Sequence, residues 1–360
     1  MGILELVSFI AGLALLVAGA ELLVRGASRL AAIAGISPLV IGLTIVAFGT
    51  SSPEAAVSVF SSLNGQADIS LGNVVGSNIF NVLFILGLSA TIVPLGVSAQ
   101  LIKFDVPVMI GASLLLMIFA GDGNISRMEG VVFLYGILAY TAILIYKSKK
   151  ESRAVKEEYE KEFGYRDGRS FWAWVKNGFF IVIGLVLLVL GSRFLVDGAT
   201  IAARALGVSE LVIGLTIVAA GTSLPELATS VIASIRGERD IAVGNIVGSN
   251  IYNILAVLGL SSVAVSGGVS VSNAVLGVDL PIMTAIAAVC LPVFYTGREI
   301  SRWEGGLFLL YYIAYTAYLV LSSTRHAWLE GFVFAMNSVA LPLTAILIVI
   351  SVIPHLKRRA

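Results

Sequence analysis

Apolar stretches long enough to cross a bilayer recur along the chain from residue 3 to residue 354. A hydrocarbon core of about 30 Å requires about 20 predominantly apolar residues per helix. In the first part of the chain this pattern predicts five membrane helices, over residues 3–33, 38–63, 69–95, 101–120 and 127–146. It predicts five more in the second part, over residues 173–205, 210–235, 241–266, 274–296 and 302–322. The pattern is therefore typical of an all-α polytopic membrane protein with ten core helices.

Two further segments lie outside these ten helices. Residues 147–172 contain eight Lys or Arg and six Asp or Glu, and a charge run of that kind is usually solvated. We expect a charged cytoplasmic loop there, with a short helical tendency at most. Residues 329–354 form another apolar run, which is followed by a basic tail. This run predicts an eleventh membrane helix within the C-terminal segment, residues 323–360.

The two five-helix parts, residues 1–146 and 173–322, are related by duplication. Residues 42–89 return as residues 214–261, with 31 of 48 positions identical at a constant offset of 172. Because five is an odd number, the second part must enter the membrane from the opposite side, which predicts inverted-topology repeats. The identical positions include eight polar pairs: Thr44/Thr216, Thr50/Thr222, Ser51/Ser223, Glu54/Glu226, Asn73/Asn245, Ser77/Ser249, Asn78/Asn250 and Asn81/Asn253.

The distribution of Lys and Arg among the loops sets the expected orientation. If residues 147–172 are cytoplasmic, residues 236–239, which contain two Arg, are also inside. Residues 64–68, which contain no Lys or Arg, are then outside. This arrangement satisfies the positive-inside rule, and it predicts a multi-pass protein of the cell membrane with its N terminus outside.

Composition excludes several classes of function. Only 12% of the residues are charged and the net charge is +1, so no basic stripe suggests a nucleic-acid partner. One cysteine, Cys290, and two histidines, His326 and His355, provide neither a disulfide framework nor a thiolate or histidine metal cluster. No nucleophile is paired with a base in either repeat, so we expect no enzyme and no cofactor.

A proline motif occurs once in each half, as GTSSPE at 49–54 and GTSLPE at 221–226. Proline has no N–H and its ring crowds the carbonyl four residues back, so Pro53 is expected to free the carbonyl of Gly49, and the second half repeats this arrangement. Irregular backbone at membrane depth is tolerated only where protein or a water-lined cavity satisfies it. The next helix of each half adds a polar stripe, formed by Asn73, Ser77 and Asn81 in the first and by Asn245, Ser249 and Asn253 in the second.

The glutamates of this motif, Glu54 and Glu226, determine what such a site can hold. An ionised carboxylate at the bilayer centre costs at least about 2.5 kcal/mol, and the duplicated stretches contain no Lys or Arg except Arg236 and Arg239 in a loop. Their other polar groups are neutral oxygens, and hard cations such as calcium prefer about six to eight oxygen ligands. Two glutamates balance one divalent ion, and the same oxygens can hold sodium. Ser, Thr and Asn also hold membrane helices together, but two intramembrane carboxylates beside proline breaks favour ion binding.

The GTS-PE and GN-VGSNI-N motifs, each present twice, resemble the alpha repeats of the sodium/calcium exchanger family within the calcium/cation antiporter superfamily. The resemblance covers residue 3 to about residue 322. It implies that the second, third, seventh and eighth helices hold ions at mid-membrane. It also implies that the first and sixth helices slide across this core to alternate access.

The resemblance implies roles for individual residues as well. Calcium would lie between Glu54 and Glu226 with Thr50 and Thr222. Several relatives, including potassium-dependent ones, carry Asp at the position of Asn253, so the site is less acidic here and potassium cotransport is disfavoured. Sodium would use the calcium ligands together with further groups, which are Ser51, Ser77, Ser223, Ser249 and the backbone carbonyls of Ala47 and Ala219, while Asn81 and Asn253 would line the middle of the site.

The expected function is electrogenic exchange of sodium for calcium across the cell membrane. The expected partners are these ions and the lipid bilayer, and the sequence does not determine the oligomeric state. A proton/calcium antiporter remains an alternative, because the carboxylates could exchange protons for calcium. A cation channel is an alternative of a different class, although inverted repeats with interrupted helices favour a transporter. Residues 147–172 are too short for the large cytosolic regulatory domain of animal exchangers.

Overall fold

Helices form most of the described residues, which are 3–163, 171–205, 217 and 219–357 in this computed structural model. Several of the helices contain short π-helical segments. In chain order they are α1 (Ile3–Ala34), α2 (Pro38–Thr50), α3 (Ser52–Leu63), α4 (Ala67–Ile92), α5 (Leu101–Asp122), α6 (Arg127–Phe163), α7 (Phe171–Ala205), α8 (Leu224–Ile235), α9 (Arg239–Ala264), α10 (Val275–Tyr295), α11 (Arg302–Ser323) and α12 (residues 329–357).

The predicted all-α polytopic membrane fold is confirmed. Within the described ranges, nine helices are long and apolar enough to cross a membrane, or ten if the bent pair α2 and α3 is counted as one span. Their ends lie within a few residues of the predicted ends, with one exception at α6. The predicted helix over residues 210–235 begins in a part of the chain outside the described residues, and α8 is its second segment.

The predicted loop over residues 147–172 was wrong in its secondary structure, because α6 continues to Phe163. This continuation is rich in Lys, Glu, Arg and Ala, which are good helix formers. It also places opposite charges four residues apart, as in Arg153 and Glu157 or Lys156 and Glu160. Pairs with that spacing stabilise a solvated helix, so a charged composition did not exclude a helix here.

Helices α1 and α7 pack against each other in antiparallel orientation through glycines spaced seven residues apart. A Cβ atom on Gly12 would lie 2.9 Å from the Gly191 carbonyl oxygen, and one on Gly19 would lie 2.8 Å from that of Gly184. Further along, a Cβ on Gly26 would lie 2.9 Å from the Asn177 carbonyl oxygen. Small residues at this seam allow the two backbones to approach closely, as is common between membrane helices. The antiparallel contact is the arrangement expected if the two halves have inverted topology.

Two short antiparallel strand pairs join loops of the first half to loops of the second. Strand β1 (Leu95–Gly96) pairs with β4 (Glu299–Ile300), and β2 (Asn124–Ile125) pairs with β3 (Val269–Ser270). In the orientation predicted from loop charge, each pair joins two loops on the same side of the membrane. The pairing is therefore compatible with that orientation.

Each half also pairs its last two core helices through an aspartate and a tyrosine. The Tyr140 hydroxyl of α6 donates to Asp105 of α5 at 3.0 Å, and the Tyr315 hydroxyl of α11 donates to Asp279 of α10 at 2.9 Å. These bonds satisfy acidic groups that lie away from the proline motifs.

The burial of the spans shows which helices form the centre of the protein. In the most apolar window of each span, 94% of α9 and 72% of α4 is buried, whereas none of α12 is. Helices α4 and α9 carry the two polar stripes, so these stripes lie inside the protein. Helix α12 packs on the outside, against the second half.

Candidate ion-binding site

The two proline motifs interrupt their helices where the sequence predicts. Helix α2 ends at Thr50 and α3 begins at Ser52, with a bend of 45° between them. Ser51 lies in this break with φ −82° and ψ 7°. In the second half, Ser223 precedes α8 with φ −90° and ψ 8°. Each break therefore places a serine between two helical segments, one turn before the glutamate.

The two glutamates are hydrogen-bonded across the halves. The Ser51 hydroxyl donates to Glu226 Oε1 at 2.8 Å, and the Ser223 hydroxyl donates to Glu54 Oε1 at 2.9 Å. Both glutamates have 0% exposure. Each half therefore supplies one carboxylate to the site. Each half also supplies the serine that donates a hydrogen bond to the carboxylate of the other half.

The threonines of the motif and the first asparagines of the stripes form a second set of bonds across the halves. The Thr50 hydroxyl donates to Asn245 Oδ1, and the Thr222 hydroxyl donates to Asn73 Oδ1, both at 3.1 Å. Each asparagine also donates from Nδ2 to a hydroxyl of the neighbouring helix in its own half, from Asn73 to Ser58 at 2.9 Å. The corresponding bond in the second half, from Asn245 Nδ2 to Ser230, is 3.0 Å. These bonds hold the broken helices against α4 and α9.

Four asparagines form a third set of bonds deeper in α4 and α9. Asn81 donates to Asn250 Oδ1 at 3.2 Å, and Asn253 donates to Asn78 Oδ1 at 3.1 Å. Asn81 and Asn253 each lie in a π-helical segment, within Phe80–Leu86 and Asn253–Leu258. Such π-bulges are frequent at functional sites. The sequence did not assign Asn78 and Asn250 to the main stripe, and it gave no sign of the π-helical turns.

Several buried oxygens at the site have no hydrogen-bond partner among the described residues. They include one oxygen of each glutamate, Glu54 Oε2 and Glu226 Oε2, together with Asn81 Oδ1 and Asn253 Oδ1. The Ser249 hydroxyl is also unpartnered. A carboxylate or amide oxygen can only accept a hydrogen bond, and leaving such an acceptor buried and unpaired is costly. Coordination to cations is one way in which such buried acceptors are satisfied.

The charges around the two glutamates are also compatible with a bound cation. Within the described part of the chain, neither glutamate forms an ion pair, whereas Glu21 forms salt bridges with Arg25 and Arg236. That part also contains no group of three or more His, Cys, Asp or Glu side chains that could hold a metal. A cation at this site would therefore depend on two carboxylates and on neutral oxygens, which suits hard ions such as calcium or sodium.

The structure also places the remaining residues that the sequence assigned to the site. Ser77 lies 3.0 Å from the Ser223 hydroxyl, next to Glu54. The carbonyl of Ala47 accepts the Ser51 N–H at 3.0 Å, so it already has one partner. Ala219 begins the short helical segment Ala219–Gly221, directly before the second break. The twelve predicted side chains and carbonyls thus lie on the elements that meet at the two breaks.

Residues outside the prediction complete the polar network. Ser58 and Ser230 receive the bonds from Asn73 and Asn245 described above, and both are fully buried. The two serines are identical at the offset of 172, so the duplication itself was a signal that could have identified them. Ser192 of α7, which donates to the Gly221 carbonyl at 2.5 Å, has no identical counterpart and gave no such signal.

Comparison with known proteins matches most of this chain to one protein family. The model of the sodium/calcium exchanger protein family matches residues 4–146 and 176–321. The sodium/calcium exchanger MaX1 of Methanosarcina acetivorans is 34% identical over 340 residues, covering 86% of this chain and 96% of the relative. The inner membrane protein YrbG of Escherichia coli is 38% identical over 261 residues, covering 72% of this chain and 79% of the relative.

A solved structure has a similar fold. The sodium-calcium exchanger NCX_Mj aligns with a TM-score of 0.76 and 33% sequence identity, covering 89% of this chain and 100% of that chain. The family match ends at residue 321, so α12 lies outside it.

Proposed function

The chain belongs to the sodium/calcium exchanger protein family, and from that premise we propose that it exchanges sodium for calcium across the cell membrane by alternating access. Family membership makes it a multi-pass membrane protein and a cation/calcium antiporter. The observation that supports the finer proposal is the pair of fully buried carboxylates, Glu54 and Glu226, each with one unpartnered oxygen. They face neutral oxygens contributed by both halves.

Calcium is proposed to bind between the two glutamates. Their two negative charges balance one divalent ion, and Thr50 and Thr222 add neutral oxygens next to them. Calcium is bound in proteins by about six to eight oxygens at about 2.3–2.6 Å, so backbone carbonyls or water would complete the shell. The Ser51 and Ser223 hydroxyls already donate to one oxygen of each carboxylate, which leaves the other oxygen available to the ion.

Sodium ions are proposed to occupy overlapping positions and therefore to compete with calcium. Their additional proposed ligands are Ser51, Ser77, Ser223, Ser249 and the backbone carbonyls of Ala47 and Ala219, with Asn81 and Asn253 lining the middle of the site. A site that holds either calcium or sodium, but not both, couples the movements of the two ions. Because intramembrane charge is costly, an occupied site is expected to permit the conformational change and an empty, charged site to prevent it.

Helices α1 and α7 are proposed to be the moving part. Their close glycine seam makes them a pair that can move as one body, whereas α4 and α9 are enclosed by the rest of the protein. A bound ion can shift this equilibrium only through different affinities for the two access states. The two halves of the chain are proposed to be inverted repeats that open the site to opposite faces.

Calcium uptake into sodium-loaded proteoliposomes tests the proposal. Radiolabelled calcium uptake is measured with sodium inside only and with equal sodium on both sides, with the voltage clamped by potassium and an ionophore. Uptake that requires the outward sodium gradient supports sodium/calcium exchange, and dependence of its rate on the clamped voltage supports electrogenic exchange. Uptake that ignores sodium but follows a proton gradient would transfer the site to proton/calcium exchange. Uncoupled single-channel currents would overturn the transporter mechanism.

A further inference from the structure

Ser192 connects the moving helix α7 to the backbone of the candidate ion site. Its hydroxyl donates to the carbonyl oxygen of Gly221 at 2.5 Å, and the exposure of Ser192 is only 8%. Gly221 lies four residues before Pro225, and proline cannot donate a helical hydrogen bond to that carbonyl. The serine therefore satisfies a backbone oxygen that the proline break leaves open.

The carbonyl that accepts this bond is adjacent to residues of the ion site. Gly221 directly precedes Thr222, whose hydroxyl donates to Asn73 at 3.1 Å. Ser223 follows, and its hydroxyl donates to Glu54 at 2.9 Å. A Cβ atom on Gly221 would lie 2.6 Å from Val196 of α7, so α7 also packs closely here. A displacement of α7 along the core must break the bond from Ser192.

The first half cannot form the corresponding bond. The position equivalent to Ser192 at the offset of 172 is Ala20 of α1, and alanine has no side-chain donor. The packing is unequal as well, because Leu185 of α7 lies against Gly49 while its equivalent, Leu13 of α1, is 50% exposed. Helices α1 and α7 therefore contact the two halves of the core unequally, as is expected of a single access state under the proposed mechanism.

A second asymmetric contact lies at the other end of α8. Glu21 of α1 forms a salt bridge of 2.5 Å with Arg236, the residue that follows α8. The equivalents at the offset of 172 are Arg193 and Asn64, which cannot form a salt bridge. This pair is partly exposed and thus contributes little by itself, but it joins α1 to the residue after α8, while Ser192 joins α7 to the backbone before α8.

We propose that Ser192 is a positioning residue that tethers α7 to the Gly221 carbonyl and biases the transporter towards the access state seen here. This inference rests on the proposed alternating-access function. When α7 moves, the tether is lost, and no equivalent bond forms on the first half because Ala20 replaces the serine. The duplicated halves therefore make the two access states unequal in free energy.

Apparent calcium affinities measured from the two faces test the tether. The apparent dissociation constant equals the intrinsic constant divided by the fraction of the competent state, so a change in bias shifts the affinities at the two faces in opposite directions. The affinities are measured by exchange in right-side-out and inside-out vesicles carrying the parent protein, Ser192→Ala, Ser192→Thr or Ala20→Ser. Ser192→Ala is expected to change the ratio of the two affinities roughly fivefold, as loss of one net hydrogen bond implies.

The other two variants are matched controls. Ser192→Thr keeps the hydroxyl and should retain the parent ratio. Ala20→Ser adds a hydroxyl at the equivalent position, which would stabilise the other access state, so it should shift the ratio in the same direction as Ser192→Ala does. An unchanged ratio in Ser192→Ala, or equal weakening on both faces, would overturn the tether. A threonine variant that behaves like the alanine variant would overturn it as well.

A measurement that requires no transport separates this inference from the proposed function. Spin labels at Lys176 of α7 and Arg239 of α9, both exposed, report the position of α7, and the native Cys290 is fully buried. Ser192→Ala should move the distance distribution away from that of the parent protein, and an unchanged distribution would refute the tether. If the parent protein shows no sodium-dependent calcium exchange, the proposed function fails, whatever the distances show.

Discussion

Replacement of Glu226 by glutamine removes one negative charge from the candidate site while conserving its size. Glu226 is fully buried, accepts the Ser51 hydroxyl at 2.8 Å and has one unpartnered oxygen. Glutamine retains a carbonyl oxygen that can accept the same hydroxyl, so the change affects mainly the charge. The corresponding variant of Glu54 should behave in the same way, because the two carboxylates have equivalent partners.

The magnitude follows from the distance between ion and ligand. A divalent ion about 2.4 Å from a carboxylate oxygen, at an effective dielectric constant of about 20, is attracted by about 14 kcal/mol before desolvation. Much of this attraction is offset by the dehydration of the ion and by the neutral oxygen that glutamine provides. Loss of only a fifth, about 2.8 kcal/mol, weakens binding about 100-fold. We therefore expect Glu226→Gln to lower calcium affinity at least about 100-fold and to abolish calcium uptake at micromolar calcium.

The assay combines calcium uptake in proteoliposomes with equilibrium binding of radiolabelled calcium to the purified protein. Glu304→Gln is the matched control, because Glu304 is also buried but caps the start of α11 through Ser301 and lies outside the site. The control should retain calcium binding. If Glu226→Gln binds and transports calcium like the parent protein, the assignment of the ion site is refuted.

Three further predictions address the donors, the packing and the extra helix. Ser51→Ala removes the bond to Glu226 and should weaken ion binding, measured by titration, about fivefold to tenfold. The hydroxyl of Ser52 bonds only to the Phe48 carbonyl, so Ser52→Ala should leave ion binding unchanged. Equal effects of the two substitutions would contradict the geometry. Gly248→Ala places a Cβ 2.8 Å from the Leu43 Cα and should destabilise the protein by about 1 to 3 kcal/mol. The control is Gly111→Ala, whose Cβ meets no atom within 4 Å. The same melting temperature for both variants would refute this packing. Truncation after residue 328 removes α12, none of whose apolar window is buried, and should retain sodium-dependent calcium uptake in proteoliposomes; complete loss of uptake by a folded truncated protein would show that α12 is required.

Local properties of the chain made most of the helices predictable. The length of an apolar run and the missing N–H of proline act within one segment, so the spans and the breaks beside Ser51 and Ser223 could be derived without tertiary contacts. The continuation of α6 to Phe163 was also encoded locally, in opposite charges four residues apart. It was missed because the charge run was interpreted only as solvated. The sequence also singled out Glu54 and Glu226, because the polar pairs repeated at the offset of 172 can be found by comparing the two halves without any tertiary contact.

Contacts between distant segments were decided only by the tertiary structure. The sequence does not show that Ser51 donates to Glu226, 175 residues away, because the partner of a buried donor depends on how the two halves pack. The network between Asn78 and Asn253, the unpartnered oxygens of the glutamates, and the bond from Ser192 to Gly221 also depend on that packing. The sequence by itself thus determined which polar groups are duplicated within the membrane. Only the tertiary structure decided how the two copies complete each other's site, because hydrogen bonds and ion ligands require atoms within about 3 Å of each other.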